Sequence, residues 1–282
     1  MKKILDFFLT KIVLGLAMVI GLVALVEWAG RGLLDKTDWA DGTKNIIIAV
    51  LESALAISGY IFLYSNYEKR KITEFSATGF IKNSVAGFST GLLLQSLFVL
   101  VIALGSRYWI SATNPFENVI NGLANALTAG FVAEIIFRGI IFRLLEEALG
   151  SMIALLCMLV LFIIAHWNVD GADFISISAT SVQAGLVLSA AYMATRSLWF
   201  TIFLHFAWDF AEPSIFGAIN PGMSNNGSLF SSIITGPRLL TGGPMGPQNS
   251  LQALIICLLT TVIFLWIALR KSKFVQGNLF KH

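Results

Sequence analysis

The residues best suited to chemistry in this 282-residue chain are two histidines and three charged residues inside long apolar stretches. Glu134 and Arg138 are four residues apart, as are His205 and Asp209, so each pair falls on one face of a helix. His166 closes a third apolar stretch. A carboxylate beside an imidazole can take a proton from water, and a second imidazole can polarise a carbonyl group or bind a metal ion. The pattern indicates hydrolytic chemistry.

The composition predicts that these residues lie in a membrane. Hydrophobic residues make up 56% of the chain and charged residues only 12%, with a mean hydropathy of +0.79. A soluble globular domain carries roughly 25% charged residues. Too little polar surface therefore remains to coat a water-soluble body. We predict a single membrane domain over residues 1–282, with membrane lipids as its surroundings.

Apolar segments of about 20 residues, the length that crosses a hydrocarbon core, recur along the chain. They predict an all-α polytopic membrane bundle of about eight transmembrane helices with an internal polar site. The first segment is interpreted as a retained span, because no convincing cleavage site follows it. The predicted spans are approximately Phe7–Glu27, Asn45–Tyr64, Val85–Leu104, Val119–Leu149, Ser151–His166, Ile175–Ala194, Leu198–Ala211 and Leu251–Leu269.

The segments between the predicted spans and at their ends also predict local structure. The segment through Phe75, Phe80 and Ile81 is predicted to lie as a short amphipathic stretch in the membrane interface. The stretch from Pro213 to Asn249 is rich in Gly and Pro, which predicts a long loop outside the lipid or folded back over the bundle. Glu146 and Glu147, at a helix end, predict a solvated face.

The basic residues predict the orientation, since cytoplasmic loops carry an excess of Lys and Arg. With eight spans both termini share a side, and 14 of the 19 basic residues then fall on it. We expect both termini in the cytoplasm, in a prokaryotic inner membrane given the short loops. The basic residues form no nucleic-acid-binding face. The 14 are Lys2, Lys3, Lys11, Lys69, Arg70, Lys71, Lys82, Arg138, Arg143, Arg196, Arg270, Lys271, Lys273 and Lys281.

Each candidate group also has a purely structural interpretation. Glu134 and Arg138 could form a buried ion pair that holds the bundle together. His166 could be an interfacial residue, and His205 with Asp209 a satisfied hydrogen-bonded pair. An ionisable group at a helix centre costs about 2.5–3.5 kcal/mol on insertion scales. Three such accidents in one bundle are less plausible than one polar pocket to which three helices contribute.

Three other features have structural interpretations. Glu52, alone in the second span, predicts a buried carboxylate bonded to a neighbouring helix. Gly87 and Gly91 form a small-x-x-x-small pair and predict a helix contact. Cys157 and Cys257 lie in apolar runs and predict buried, reduced thiols.

A divalent metal, zinc in particular, is one expected cofactor. Neutral imidazoles and carboxylates are suitable zinc ligands. The His-Glu-x-x-His signature of soluble zinc proteases is absent from the sequence. A metal site would therefore have to be assembled from separate helices, with His166, His205, Asp209 and Glu134 as its candidate ligands.

Three motifs together resemble the CPBP intramembrane protease family, which includes CAAX-processing and bacteriocin-associated membrane proteins. The family patterns are Glu-Glu-x-x-x-Arg, Phe-x-x-x-His and His-x-x-x-Asn/Asp. The corresponding segments here are Ala133–Gly139, Phe162–His166 and His205–Asp209. Each motif lies on its own predicted span, in the family's order. The resemblance covers roughly Thr73 to Leu269, a family-like catalytic core of about residues 73–269.

The resemblance implies a membrane-embedded endopeptidase, with one departure. The first family Glu, which activates the attacking water, corresponds to Ala133. The second corresponds to Glu134, the family Arg to Arg138, and the two family histidines to His166 and His205. Adjacent helix positions point about 100° apart, so Glu134 reaches the missing carboxylate's place only by rotation or unwinding of the helix. Catalysis has then shifted to Glu134 or Asp209, or the chain is an inactive relative.

The leading hypothesis is an intramembrane endopeptidase that uses activated water on a peptide or membrane-protein substrate. Glu134, Arg138, His166, His205 and Asp209 are its candidate catalytic residues. Two rivals stay open: a catalytically inactive membrane scaffold or bacteriocin-immunity-type protein, indicated by Ala133, and a transporter that uses Glu52, Glu134 and Asp209 as ion carriers.

Overall fold

Eight long helical stretches make up most of the computed structural model, which describes residues 7–218 and 228–278. Lys2, Lys3, Lys281 and part of the predicted Pro213–Asn249 loop lie outside these residues. The helices are α1 (Phe8–Leu34), α2 (Asp41–Tyr67), α3 (Ala77–Leu104), α4 (residues 119–149), α5 (Ser151–His166), α6 (Phe174–Thr195), α7 (Leu198–Phe210) and α8 (Leu251–Arg270).

The helix ends follow local chemistry. Asp173 begins α6, because its side chain accepts the Ser176 backbone N–H, and Ser250 caps α8 by accepting the Ala253 N–H. Gly150 separates α4 from α5 with a φ of 90°, a conformation that glycine adopts without steric cost. The predicted spans thus correspond in position to the eight helices, although several helices run longer.

The chain is an integral membrane protein of the all-α polytopic class, as predicted. Among the residues that the structure describes, five helices are long and apolar enough to cross a membrane: α1, α2, α3, α6 and α8. Helix α5 is apolar but has only 16 residues. The number of eight spans stays a prediction, since α4 is interrupted, and α7 has 13 residues.

Helix α7 packs along α3 and against α4 and α6. Gly87 and Gly91 make the contact with α3 close. A methyl group at Gly91 would meet the Leu204 carbonyl oxygen and the Ala207 side chain, and one at Gly87 would meet the Phe200 carbonyl oxygen. The helix contact predicted from this glycine pair is confirmed.

Several details differ from the sequence predictions. The chain contains a small antiparallel sheet, because β1 (Tyr108–Thr113) pairs with β2 (Phe230–Ile234) from the predicted loop. Phe75 does not lie in the interface. It is buried against the rings of Tyr60 and Trp199. The prediction is therefore wrong for Phe75, which finds aromatic contacts inside the bundle, whereas Phe80 is 40% exposed and Ile81 75% exposed.

Glu146 is also not solvated. It is only 2% exposed, and its carboxylate accepts from Ser151 and from the guanidinium of Arg196 on the α6–α7 turn. Glu147, by contrast, is half exposed and pairs with Arg143. The prediction was wrong for Glu146, since the neighbouring helices supply a partner that the local sequence does not reveal.

Candidate active site

Helices α4 and α6 contain segments with the π-helical hydrogen-bond pattern beside the site, and a further such segment follows α7. In α4 two π-helical segments, Ala129–Ala133 and Ile135–Phe142, flank Glu134. In α6 the π-helical segment is Ser181–Val187. A further π-helical segment, Ala211–Ile215, follows α7. Single π-helical turns inside α-helices occur frequently at functional sites. They change the direction in which side chains leave the helix.

Glu134 joins two of the motifs. Its carboxylate oxygen Oε1 accepts from Arg138 Nη1 and from His205 Nδ1, each at 2.8 Å. The side chains of Glu134 and Arg138 have no exposed surface. The other ring nitrogen of His205 lies 3.3 Å from Asp209 Oδ2. The structure therefore connects the first motif to the third through one buried carboxylate.

Arg138 extends this connection to α6. Its Nη2 donates to the backbone carbonyl of Ala184, and its guanidinium lies 5.6 Å from the ring centroid of Phe162 on α5. Ala184 lies in the π-helical segment of α6. One buried cation thus contacts α4, α5 and α6.

His166 faces the same cavity as His205 and Asp209. The cavity has a volume of about 230 Å³, and its wall also includes Phe162, Leu188 and Trp208. His166 Nδ1 lies 2.9 Å from the Phe162 carbonyl oxygen, which can only accept, so Nδ1 carries the proton. In the neutral ring the other nitrogen, Nε2, then holds a lone pair.

The loop before α8 closes part of the cavity, and the sequence reasoning missed this contribution. Gln248 lines the cavity, and its Oε1 accepts from Trp208 Nε1 at 2.5 Å. Its backbone carbonyl accepts from Gln183, and its backbone N–H donates to Glu212 at 3.0 Å. The part of the loop around Gln248 is thus folded back over the bundle, one of the two predicted positions of the loop.

The position of Glu212 beside the site could have been predicted from its spacing to His205 and Asp209. It follows Asp209 by three residues and His205 by seven, which places all three on one helical face. It is fully buried. The signal was obscured because Pro213 follows directly and favours a loop interpretation.

The predicted metal ligands do not form a metal site as they stand. Within residues 7–218 and 228–278, no group of three or more His, Cys, Asp or Glu side chains is arranged to hold a metal ion. Both ring nitrogens of His205 face carboxylates, and Nδ1 of His166 faces a carbonyl group. We therefore derive no step through a metal, and the zinc expectation stays a prediction.

The predicted site residues are otherwise brought together. Three of them, His166, His205 and Asp209, line the cavity, while Glu134 and Arg138 lie behind His205. Ala133 is half-buried on the turn before Glu134. Its methyl group supplies no oxygen where the family pattern has a carboxylate.

Fold and site together define a polytopic membrane protein with a buried histidine–carboxylate centre. Residues 115–211 match the family model described as type II CAAX prenyl endopeptidase Rce1-like. The matched segment contains all three motifs, so the resemblance to the CPBP family is confirmed. Comparisons with curated proteins and with solved structures each found no match.

Proposed function

We propose that this chain is an intramembrane endopeptidase that hydrolyses a peptide bond with a water molecule held in the His166–His205 cavity. The observation that carries the proposal is the arrangement of two imidazoles and one carboxylate around a single cavity inside an apolar bundle. The family match to residues 115–211 supports a CAAX-protease-like endopeptidase at the level of the family.

In this proposal His166 acts as the general base. Its Nδ1 donates to the Phe162 carbonyl oxygen, which fixes the tautomer and leaves the Nε2 lone pair for water. The water oxygen attacks the peptide carbonyl carbon while Nε2 takes the proton. The same nitrogen then delivers that proton to the leaving amine, so that acid and amine products form without another reactant.

His205 stabilises the oxyanion in this scheme. Its Nδ1–H donates to Glu134, which holds the ring in place, and Arg138 in turn holds Glu134. His205 acts here with both ring nitrogens protonated, so the Nε2–H points towards Asp209 and the cavity. The separation of 3.3 Å from Asp209 is long for a charge-assisted bond, so a developing oxyanion can compete for this proton.

A non-catalytic alternative is favoured by two observations on the first motif. Ala133 occupies the place of the family's water-activating Glu. Glu134 does not substitute for it, because its side chain is fully buried and Oε1 is engaged by Arg138 and His205. This alternative is a membrane scaffold or immunity-type protein that retains the fold but does not cut.

The test compares purified full-length variants in detergent on a peptide library. We expect cleavage by the wild type to fall at least about 10²-fold in His166→Ala and in His205→Ala, the usual contribution of a general acid or base. The matched control is His282→Ala, since it makes the same change at the only other histidine. Cleavage unchanged by both active-site substitutions would contradict the proposal.

Ala133→Glu separates the two candidates. A wild type that cuts, with a faster Ala133→Glu variant, supports the endopeptidase, because the added carboxylate supplies a second base. A wild type that does not cut, beside a variant that does, supports the non-catalytic alternative. Measuring bound metal by mass spectrometry in both proteins tests the zinc prediction in the same preparations.

A further inference from the structure

A second polar cleft, separate from the His166–His205 cavity, lies between α1, α2 and α4. Its volume is about 430 Å³. The walls combine apolar side chains with polar ones near the end of α1 and the start of α2 and α4. The polar lining residues are Glu27, Arg31, Asn45, Glu52, Asn125 and Thr128.

Two carboxylic side chains, Glu27 and Glu52, line the cleft together with a single guanidinium. Its only guanidinium, Arg31, is already engaged, because Nε donates to Glu27 and Nη1 to Asn45 Oδ1 at 3.2 Å. Glu52 lies seven residues beyond Asn45 on α2, or about 10 Å deeper at 1.5 Å per residue. The engaged Arg31 therefore leaves Glu52 without a counter-charge in contact.

Glu52 is only 5% exposed, yet its hydrogen bonding is incomplete. Thr128 Oγ1 donates to its Oε2 at 2.8 Å, which confirms the predicted bond to a neighbouring helix. In the described parts of the chain no second donor is hydrogen-bonded to this carboxylate. A buried carboxylate is costly unless it is paired and hydrogen-bonded. Among the described residues of the cleft, Glu52 therefore has one hydrogen-bond donor, Thr128, and no cationic group in contact.

We propose that this cleft binds a primary ammonium group, with Glu52 as its anionic partner. An ammonium supplies three N–H donors and one positive charge. Side chains on the cleft wall that can accept these bonds include the carboxylates of Glu52 and Glu27, the Thr128 hydroxyl and the Asn125 amide.

The shape of the cleft favours an organic cation over a bare ion. A water molecule occupies about 30 Å³ in the liquid, so the volume exceeds that of a single ion with its ligands. Ile48, Ala49 and Ala124 form an apolar wall beside Glu52, which suits a short alkyl chain. The same chemistry occurs in a free alkylamine and in an ethanolamine lipid headgroup.

The experiment uses full-length protein in phosphatidylcholine vesicles, whose headgroups carry no N–H donor. Ethylammonium chloride is titrated at constant ionic strength against tetramethylammonium chloride, and the thermal unfolding midpoint and binding of radiolabelled ethylamine are measured. We expect one saturable equivalent and a raised midpoint in the wild type. In Glu52→Gln the affinity should fall about ten-fold or more, since a charge-assisted bond is lost.

Glu117→Gln is the matched control, because it removes an exposed carboxylate outside the cleft and should bind ethylamine as the wild type does. Sodium chloride in place of ethylammonium tests the chemical class. An equal response to sodium overturns the proposal. So does a wild type without saturable binding, a result that needs no variant to fold.

Vesicles containing phosphatidylethanolamine distinguish the two sources. If the headgroup is the ligand, this lipid stabilises the wild type but not Glu52→Gln, and it suppresses the ethylammonium response. If a free amine is the ligand, the ethylammonium response persists in these vesicles. Neither result depends on peptide cleavage, because no residue of this cleft lines the His166–His205 cavity.

Discussion

At the scale of single residues, Arg138 is the group on which the site geometry depends most. It is fully buried and donates both to Glu134 and to Ala184. A buried ion pair contributes little net stability when intact, yet removing one partner leaves an uncompensated charge. Arg138 therefore acts as a positioning residue that fixes Glu134, and through it His205.

Arg138→Ala should lower the free energy of unfolding by about 3–5 kcal/mol, because Glu134 would stay buried with His205 as its only partner. Denaturant unfolding in detergent measures this change. Arg270→Ala is the control, since Arg270 is exposed at the end of α8 and its loss should matter by less than about 0.5 kcal/mol. Equal effects of the two substitutions would show that the buried pair does not hold the site.

Glu74 is another buried carboxylate, in the turn between α2 and α3 outside the predicted spans. Burial raises the pKa of Glu74, but hydrogen bonds from Arg70 at 2.5 and 3.1 Å and from Tyr60 outweigh it. The net pKa is below the ordinary value of 4.5. A lowered pKa stabilises the fold above the unfolded-state value, and this stability is lost as the pH falls through the lowered one.

The wild type should therefore lose stability as the pH is lowered below 4.5. Glu74→Gln should be less stable than the wild type at neutral pH and lose less on acidification, because its amide does not titrate. Thermal unfolding across this pH range measures both effects. Glu117→Gln, an exposed change, should retain the wild-type pH dependence. A Glu74→Gln profile parallel to the wild type would contradict the assignment.

At the scale of elements, the position of α7 decides where His205 and Asp209 lie. The close contact at Gly87 and Gly91 sets its distance from α3, and the Glu74 backbone carbonyl accepts the Leu198 N–H at its start. These constraints act on backbone atoms, which cannot move as a side chain can. A change at the α3 contact should therefore displace the helix that carries His205 and Asp209.

Gly91→Ala should destabilise the protein by about 1–3 kcal/mol and reduce any cleavage, because its methyl group would meet the Leu204 backbone. Gly21→Ala is the matched control, since no atom lies within 4 Å of the added methyl. In a helix that change should be neutral or stabilising by up to about 1 kcal/mol. Opposite signs for the two substitutions are the expected result. A stabilised Gly91→Ala would refute the close contact.

At the scale of the whole molecule, the distribution of basic residues predicts the orientation in the membrane. The basic residues predict cytoplasmic termini, which places the α1–α2 turn outside and the α2–α3 turn inside. Many large apolar side chains are exposed on the outer surface of the bundle, among them Leu93, Leu104 and Val262. Lipid chains are their expected contacts.

Cysteine labelling tests this orientation. In a background with Cys157→Ala and Cys257→Ala, Thr43→Cys should react with an impermeant maleimide in intact cells. Lys71→Cys should react only after permeabilisation. Both positions are exposed, so they differ in side rather than in accessibility. The reverse labelling pattern would place the termini outside.

The sequence by itself determined the membrane class, the approximate helix positions and the pairing of residues four apart. These properties are local. Apolar length decides what enters lipid, and 3.6 residues per turn decides that His205 shares a face with Asp209, and Glu134 with Arg138. The assignment of the whole chain to one membrane domain stays a prediction.

Only the tertiary structure decided which faces meet. The bond between Glu134 and His205, the burial of Glu146, the β1–β2 pair and the return of Gln248 to the cavity all join residues far apart in sequence. Helical periodicity specifies the direction in which a side chain points around the axis of its own helix. It contains no information on how far a neighbouring helix is rotated or how closely it approaches, because packing of the complete bundle sets both.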